Sequence, residues 1–147
     1  MNEFEFREYQ DSDLDSCARE MCDAFDSAPW NEKWDFDIAK KRIGIIMSSK
    51  ESYGFVALDK GRVIAMIAGR ILPYLDENEY WIDECSVLSL YQGKKIGSSL
   101  FAYMKEKLLG KATKVFLYTG RNFPAQHFYE KNGLRVLDGL VTMQGDI

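Results

Sequence analysis

Residues 87–98 read VLSLYQGKKIGS, and this stretch decides the fold. It joins a strand-like segment, Tyr80 to Leu88, which is rich in β-branched and aromatic residues, to a segment with helical spacing of apolar residues. The apolar positions on one face of that helix are Ile96, Leu100, Met104 and Leu108. N–H groups at a helix start lack intrahelical partners and, with the helix dipole, favour an anion. The turn therefore predicts a pyrophosphate site, although its two glycines would equally serve an ordinary strand-to-helix turn.

Outward from this turn, strand and helix patterns alternate. Upstream, Phe4 and Phe6 alternate with Glu3 and Glu5, which predicts a strand. We then predict a helix that Asp11 or Ser12 caps and whose apolar face runs from Leu14 to Phe25, and a second helix from Phe36 to Met47. Phe55 to Leu58 and Val63 to Gly69 are predicted to form a hairpin, and Pro73 to Asn78 a loop. Downstream we predict a strand from Lys114 to Tyr118, a helix from Pro124 to Asn132, and one or two closing strands within Leu134 to Met143. The order β-α-α-β-β-β-α-β-α-β predicts a mixed α/β fold with one central sheet, and the length of 147 residues fits a single domain over 1–147.

The composition is that of a soluble globular protein. Hydrophobic residues make up 46% of the chain, aromatic residues 14%, and the mean hydropathy is -0.30. No apolar run approaches the ~20 residues of a membrane span, and the N-terminus does not resemble a secretory signal, so we expect no membrane contact and a cytoplasmic location. Three cysteines without Cys-x-x-Cys spacing and a single histidine predict neither a disulfide framework nor a metal site.

Charge is distributed unevenly along the chain. The net charge of -4 and the pI near 5.1 argue against nucleic-acid binding. Between Asp11 and Asp37 there are nine acidic residues against two basic ones, whereas residues 91–121 hold seven basic residues against one acidic. This asymmetry suits an anionic ligand at one place and a cationic ligand at another, but solvated helix faces would give the same pattern.

A second pattern, NFPAQHFYEKNGL from Asn122 to Leu134, follows the first in the chain. Together the two segments resemble the GNAT superfamily of N-acetyltransferases. The pyrophosphate loop of that family reads Arg/Gln-x-x-Gly-x-Gly/Ala, and its later segment reads Asn-x-x-Ala-x-x-x-Tyr-x-x-x-Gly-Phe. Lys95 stands where the loop usually has glycine, and Leu134 stands where phenylalanine is commoner. The predicted element order also fits the family along nearly the whole chain.

The resemblance implies a GNAT-like domain with a mostly antiparallel sheet whose fourth and fifth strands splay apart. It implies acetyl-CoA as the acyl donor and no metal. The residues that it places against the donor are Cys85, Ser86, Val87, Gln92, Gly93, Lys94, Lys95, Ile96, Gly97, Ser98, Asn122 and Tyr129.

The resemblance also implies direct attack of an amine on the thioester. A lysine-type amine titrates near ~10.4, so a base must remove a proton first. Family members that modify aminoglycosides and similar amines commonly carry an acid in this strand segment, where Asp83 and Glu84 lie. Strand alternation predicts that only one of them faces the cleft. A backbone N–H near Val87 is expected to meet the oxyanion, and the Tyr129 phenol is the candidate acid for the departing thiolate.

The acceptor is less well defined by the sequence. Trp30 and Trp34 lie where the family places an acceptor-binding loop, and with Asp83 and Glu84 they are candidate acceptor contacts, although both tryptophans would also serve as core anchors. We expect a small cationic amine as acceptor. A protein N-terminus or lysine, or a non-catalytic acyl-CoA-binding domain, stays open as an alternative. A homodimer is expected on base rates.

Overall fold

The computed structural model describes residues 4–147, so Glu3 of the predicted first strand lies outside the described residues. The chain forms two compact units, one ending at Phe116 and the other spanning Leu117–Ile147. The first unit contains the whole sheet and three of the helices, and the second contains one helix. One domain over 1–147 stays a prediction.

A five-stranded sheet forms the centre of the first unit. Its strands are β1 (Glu5–Glu8), β2 (Ser52–Asp59), β3 (Arg62–Tyr74), β4 (Glu77–Val87) and β5 (Lys114–Phe116), and they lie side by side in chain order. All neighbours are antiparallel except β4 and β5, which are parallel. The helices are α1 (Leu14–Phe25), α2 (Phe36–Ile46), α3 (Ile96–Leu108) and, in the second unit, α4 (Pro124–Lys131). The predicted mixed α/β fold with a mostly antiparallel sheet is confirmed.

The two faces of the sheet carry different helices. On one face, buried side chains of α1 and α2 pack against residues of β2 and β3, including Met66 and Ala68. On the other face, Phe55 of β2 makes edge-to-face contacts with Tyr80 of β4 and with Tyr103 of α3. We call the first of these the α1/α2 face. The alternation of side chains along each strand therefore decides which helices a residue meets.

The loop predicted from Pro73 to Asn78 is wrong, because this segment belongs to a hairpin. Strands β3 and β4 pair as far as Tyr74 and Glu77, and only Leu75 and Asp76 form the turn. Leu75 has a φ of 55°, as the favoured two-residue hairpin turns have, but no glycine marks the position in the sequence. The hairpin pairs β3 with β4 from Tyr74 and Glu77 at the turn to Ala65 and Val87, with one register shift between Ala68 and Gly69.

The closing strands predicted within Leu134 to Met143 do not form in the described structure, where no strand follows β5. A turn at Asp138 and Gly139, with the Leu140 N–H donating to the Leu137 carbonyl at 3.2 Å, interrupts the segment. Its apolar residues do not alternate strictly with polar ones, so the segment lacks the single apolar face of a half-buried strand.

Helix α1 carries an acidic side chain into the core. Glu20 is 2% exposed, and its Oε1 accepts a 2.5 Å hydrogen bond from the Ser86 hydroxyl of β4. Its Oε2 has no hydrogen-bond partner among the described residues. Burial, opposed by the Ser86 hydrogen bond, raises the pKa of Glu20 to about 8. The folded protein therefore keeps a proton on this carboxyl under conditions in which the unfolded chain has lost it.

This raised pKa predicts a stability that falls as pH increases. Between pH 4.5 and about 8 the unfolded state binds fewer protons at Glu20 than the folded state, so the free energy of unfolding decreases across that window. Glu20→Gln mimics the protonated form. We therefore expect its free energy of unfolding to exceed that of the wild type by on the order of 3–5 kcal/mol at pH 8 and by little near pH 4.

Urea unfolding at a series of pH values measures this difference. Glu106→Gln, at an exposed position of α3, is the matched control and should change stability little at any pH. If Glu20→Gln changed the free energy of unfolding by the same amount at pH 4 and pH 8, the Glu20 carboxyl would not be held protonated by burial.

Candidate active site

A β-bulge in β4 places the two candidate bases together. Ala68 of β3 pairs with Glu84, and the next residue, Gly69, pairs with Ile82, so Asp83 is an extra residue in β4. Such a bulge locally breaks the alternation of side chains. The strict alternation from which we predicted that only one of Asp83 and Glu84 faces the cleft is therefore broken at this position.

Ion pairs with two arginines confirm this placement. The Arg42 Nε of α2 donates to Glu84 Oε1 at 2.6 Å. Arg70 of β3 donates from Nε and Nη2 to the two oxygens of Asp83, at 2.8 and 3.1 Å. Arg70 lies two residues beyond Ala68 and so shares its face of the sheet. Both carboxylates therefore lie on the α1/α2 face.

The two carboxylates differ in their burial and in how many of their oxygens are held by arginine. Both oxygens of Asp83 are engaged by the Arg70 fork, which fixes this side chain in place. Glu84 is held through one oxygen by Arg42 and is more buried, with 11% of its side chain exposed against 21% for Asp83. Burial raises the pKa of Glu84, and the hydrogen bond from Arg42 opposes this rise. A carboxylate whose pKa is shifted upward towards neutrality suits proton removal better than one locked in a fork.

The edge of β4 opens beyond a short ladder. Strand β5 pairs with β4 only from Glu79 to Trp81, and the last pair is Trp81 with Phe116. Strand β4 continues for six further residues to Val87. The Leu88 N–H donates to the Ile64 carbonyl of β3 at 2.9 Å, so alternation directs the preceding Val87 N–H to the opposite edge. This is the edge at which a splayed cleft was expected.

The turn after β4 is built around two left-handed residues. Gly93 has a φ of 77° and Lys95 a φ of 64°, and α3 begins directly after Lys95. The Gln92 side chain donates back to the Val87 carbonyl at 3.2 Å, and Tyr91 donates to Asp59 at 2.6 Å. The chain therefore reverses tightly and presents the start of α3 beside the end of β4.

The conformation of Lys95 explains why glycine is usual at its position. A left-handed φ costs a residue with a side chain roughly 1–2 kcal/mol, and glycine avoids this cost. Lys95 nevertheless takes up the left-handed conformation, and α3 begins at Ile96. The departure from the family pattern thus adds local strain and a positive charge at this turn.

In the second unit, the Asn122–Leu134 segment forms α4 and its flanks. Asn122 has a φ of 63°, and its N–H donates to Gln126 Oε1 at 2.6 Å. Pro124 occupies the first turn of the helix, where its missing N–H costs nothing. Tyr129 makes an edge-to-face contact with Phe128, and its carbonyl accepts from the Leu134 N–H at 3.0 Å. The roles of Asn122 and Tyr129 towards the donor stay predictions.

The tryptophans of the α1–α2 connection make contacts within the first unit. Trp30 packs edge-to-face on Phe25 at a centroid distance of 5.5 Å. Trp34 packs against the core cluster and donates from Nε1 to Glu32 at 2.9 Å. These are the contacts of core anchors, and the acceptor-binding role of Trp30 and Trp34 stays a prediction.

Comparison with known proteins decides the family. A model of the acetyltransferase (GNAT) family matches residues 12–134, which is most of the chain. The chain belongs to the GNAT acetyltransferase family. It is accordingly an acetyl-CoA-dependent N-acetyltransferase by class, and the family uses acetyl-CoA as the donor. No curated protein sequence matches the chain.

Solved structures share the fold at low identity. A possible acetyltransferase from Clostridium difficile 630 is 22% identical with a TM-score of 0.81, and the match covers 98% of each chain. An aminoglycoside acetyltransferase, meta-AAC0020, from an uncultured soil metagenomic sample and in complex with sisomicin is 16% identical with a TM-score of 0.76, covering 98% of this chain and 96% of that one. The aminoglycoside N-acetyltransferase AAC(6')-Iy in complex with CoA is 12% identical with a TM-score of 0.77, covering 100% and 97%. These likenesses establish the GNAT fold.

Sequence reasoning missed the residues that hold the two carboxylates. Arg42 and Arg70 lie in segments predicted only as helix and strand, and no motif marks them as partners of Glu84 and Asp83. Within residues 4–147, no group of three or more His, Cys, Asp or Glu side chains is arranged to hold a metal ion. None of the helices described there is long and apolar enough to cross a membrane.

The left-handed lysine yields a direct stability test. Replacing Lys95 with glycine removes the side-chain strain but adds freedom to the unfolded chain, so we expect Lys95→Gly to raise the free energy of unfolding by about 0.5 kcal/mol. Lys94→Gly, one residue earlier and without the positive φ, should lower it. Urea denaturation measures both, and equal losses in the two variants would exclude strain at Lys95.

Proposed function

We propose that this GNAT protein transfers the acetyl group of acetyl-CoA to a primary amine of a small cationic compound. The observation that carries the proposal is the bulge at Asp83, which sets Glu84 and Asp83 on one face of β4 beside the edge where the ladder to β5 ends. A base and an open strand edge at one place are what direct acyl transfer to an amine requires.

The donor is proposed to bind along the end of β4 and the turn that follows. The pyrophosphate would lie at residues 93–98, where first-turn amides and the charges of Lys94 and Lys95 favour an anion. The pantetheine arm would run back along residues 85–87, with the outward Val87 N–H among its hydrogen-bond donors. Asn122 and Tyr129 complete the proposed set of contacts.

In the proposed reaction Glu84 takes one proton from the acceptor ammonium. The amine nitrogen then forms a bond to the thioester carbonyl carbon, and the carbon–sulfur bond breaks. Tyr129 gives its proton to the departing thiolate and regains one from the attacking nitrogen. The products are an amide, free CoA and one proton, which Glu84 later releases to solvent.

A small cationic acceptor is favoured by charge. The α1 and α2 region holds nine of the acidic residues within 27 positions, and both Glu84 and Asp83 face these helices. Aminoglycoside acetyltransferases are among the structures that share the fold, one of them bound to sisomicin. Acetylation of a protein amine is the alternative, and an acceptor panel separates the two.

Paired variants of the two carboxylates test the proposal. With acetyl-CoA and a panel of polyamines, aminoglycosides and peptides, we expect thiol release with small amines. Glu84→Gln should lower kcat/KM by about 10²- to 10⁴-fold, the range of general-base catalysis. The variant should remain folded. Asp83→Asn, which removes a charge at the adjacent position, is the matched control and should cost less, because its fork with Arg70 leaves it no free oxygen.

The outcomes separate the hypotheses. Equal losses in the two variants would remove Glu84 as the base. Turnover of peptides alone would replace the small-amine acceptor by a protein. Binding of acetyl-CoA without thiol release across the whole panel, in the wild type and in Tyr129→Phe alike, would point to a non-catalytic domain.

A further inference from the structure

Arg42 approaches the proposed base from a helix that is fixed on the sheet. It lies on α2 next to Ile43, which is fully buried on the α1/α2 face together with Ala39 of the same helix. The Asp35 side chain caps this helix by accepting from the Ile38 N–H at 3.1 Å. The packing and the capping of α2 therefore set the position from which the Arg42 side chain extends.

The contact between Arg42 and Glu84 is made at one point. Arg42 Nε donates to Glu84 Oε1 at 2.6 Å, and within residues 4–147 the Oε2 atom of Glu84 has no hydrogen-bond partner. Arg70, in contrast, donates to both oxygens of Asp83. A one-point contact orients a carboxyl and leaves one oxygen open, whereas a fork engages both. Glu84 can therefore keep its contact with Arg42 while it accepts a proton from an ammonium group.

The other surroundings of Glu84 disfavour its charged form. Burial raises the pKa of Glu84, the hydrogen bond and the charge of Arg42 lower it, and the charges of Glu32 and Asp83 raise it again. Arg42 is therefore the group that opposes the loss of charge on this carboxyl. The ionisable groups around Glu84 are Arg42 of α2, Glu32 of the α1–α2 connection, Asp83 of β4 with its partner Arg70 of β3, and the buried Glu20 of α1.

We propose that Arg42 is a positioning residue for the base, which keeps the buried Glu84 ionised and oriented and leaves one oxygen for the acceptor ammonium. This inference rests on the proposed function, in which Glu84 takes the proton. A carboxyl that is protonated before the acceptor arrives cannot remove a proton from it. The guanidinium itself stays charged, because arginine does not deprotonate in proteins. Arg42 therefore acts through Glu84 and takes no proton in the reaction.

The pH dependence of kcat/KM with one small amine tests this role. Arg42→Gln removes the positive charge, so a larger share of Glu84 is protonated at a given pH, and the acidic limb of the profile moves to higher pH. On that limb we expect kcat/KM to be at least about tenfold below the wild type, with the deficit narrowing as the pH rises. Arg42→Lys keeps a cation and should leave the limb close to its wild-type position. Lys41→Gln removes an exposed charge from the neighbouring position of α2 and, as the matched control, should not move the limb.

Titration of the Glu84 carboxyl by carbon-13 NMR is a readout that does not depend on turnover. The signal of Glu84 is identified by its loss in Glu84→Gln. In Arg42→Gln this carboxyl should titrate at a higher pH than in the wild type. In the Glu84→Gln background, the further change Arg42→Gln should not move the profile of the residual activity, because the residue through which Arg42 acts is gone.

The outcomes distinguish this role from the proposed function. An unchanged Glu84 titration in Arg42→Gln, or a loss of kcat/KM that is the same at every pH, would overturn the positioning role and leave acetyl transfer intact. A wild type without turnover, or a Glu84→Gln variant with full activity, would overturn the proposed function itself. Arg42→Met, which also removes the charge and keeps a long side chain on α2, carries the test if Arg42→Gln does not fold.

Discussion

One extra residue in β4 is the constraint on which the site depends. Without the bulge at Asp83, strict alternation would send Asp83 and Glu84 to opposite faces of the sheet. With it, two adjacent carboxylates share the α1/α2 face, and each requires a cation nearby. Arg42 from α2 and Arg70 from β3 supply those cations, so the bulge also ties a helix to the strand. The distinction between a fork-held Asp83 and a less constrained Glu84 follows from this arrangement.

The same strand links the other parts of the proposed site. Its hairpin with β3 fixes its register, and Ser86 ties it to the buried Glu20 of α1. At one end, the ladder with β5 closes at Trp81 and Phe116. At the other, a left-handed lysine reverses the chain into α3. The carboxylates lie between these ends, so a single strand sets the order of base, strand edge and anion site.

The sequence predicted the elements whose signals are local. The turn at Gln92–Gly97, the start of α3 and the helix α4 could be predicted because glycines, apolar spacing and Pro124 act over a few residues. The bulge could not be predicted, since it is set by the pairing of β4 with a distant β3 and leaves no mark on Asp83 itself. The hairpin at Leu75 was missed because its left-handed residue is not a glycine, and the arginine partners were missed because they approach from other elements. The closing strands were overpredicted from apolar content without regular alternation.

Hydrogen exchange in the presence of acetyl-CoA measures whether the donor binds along the end of β4 and the start of α3. We expect acetyl-CoA to slow exchange of the outward Val87 amide and of the amides in residues 93–98, and to leave the β1–β2 ladder at the far side of the sheet unchanged. Protection confined to other segments, with residues 85–98 exchanging as in the free protein, would contradict it.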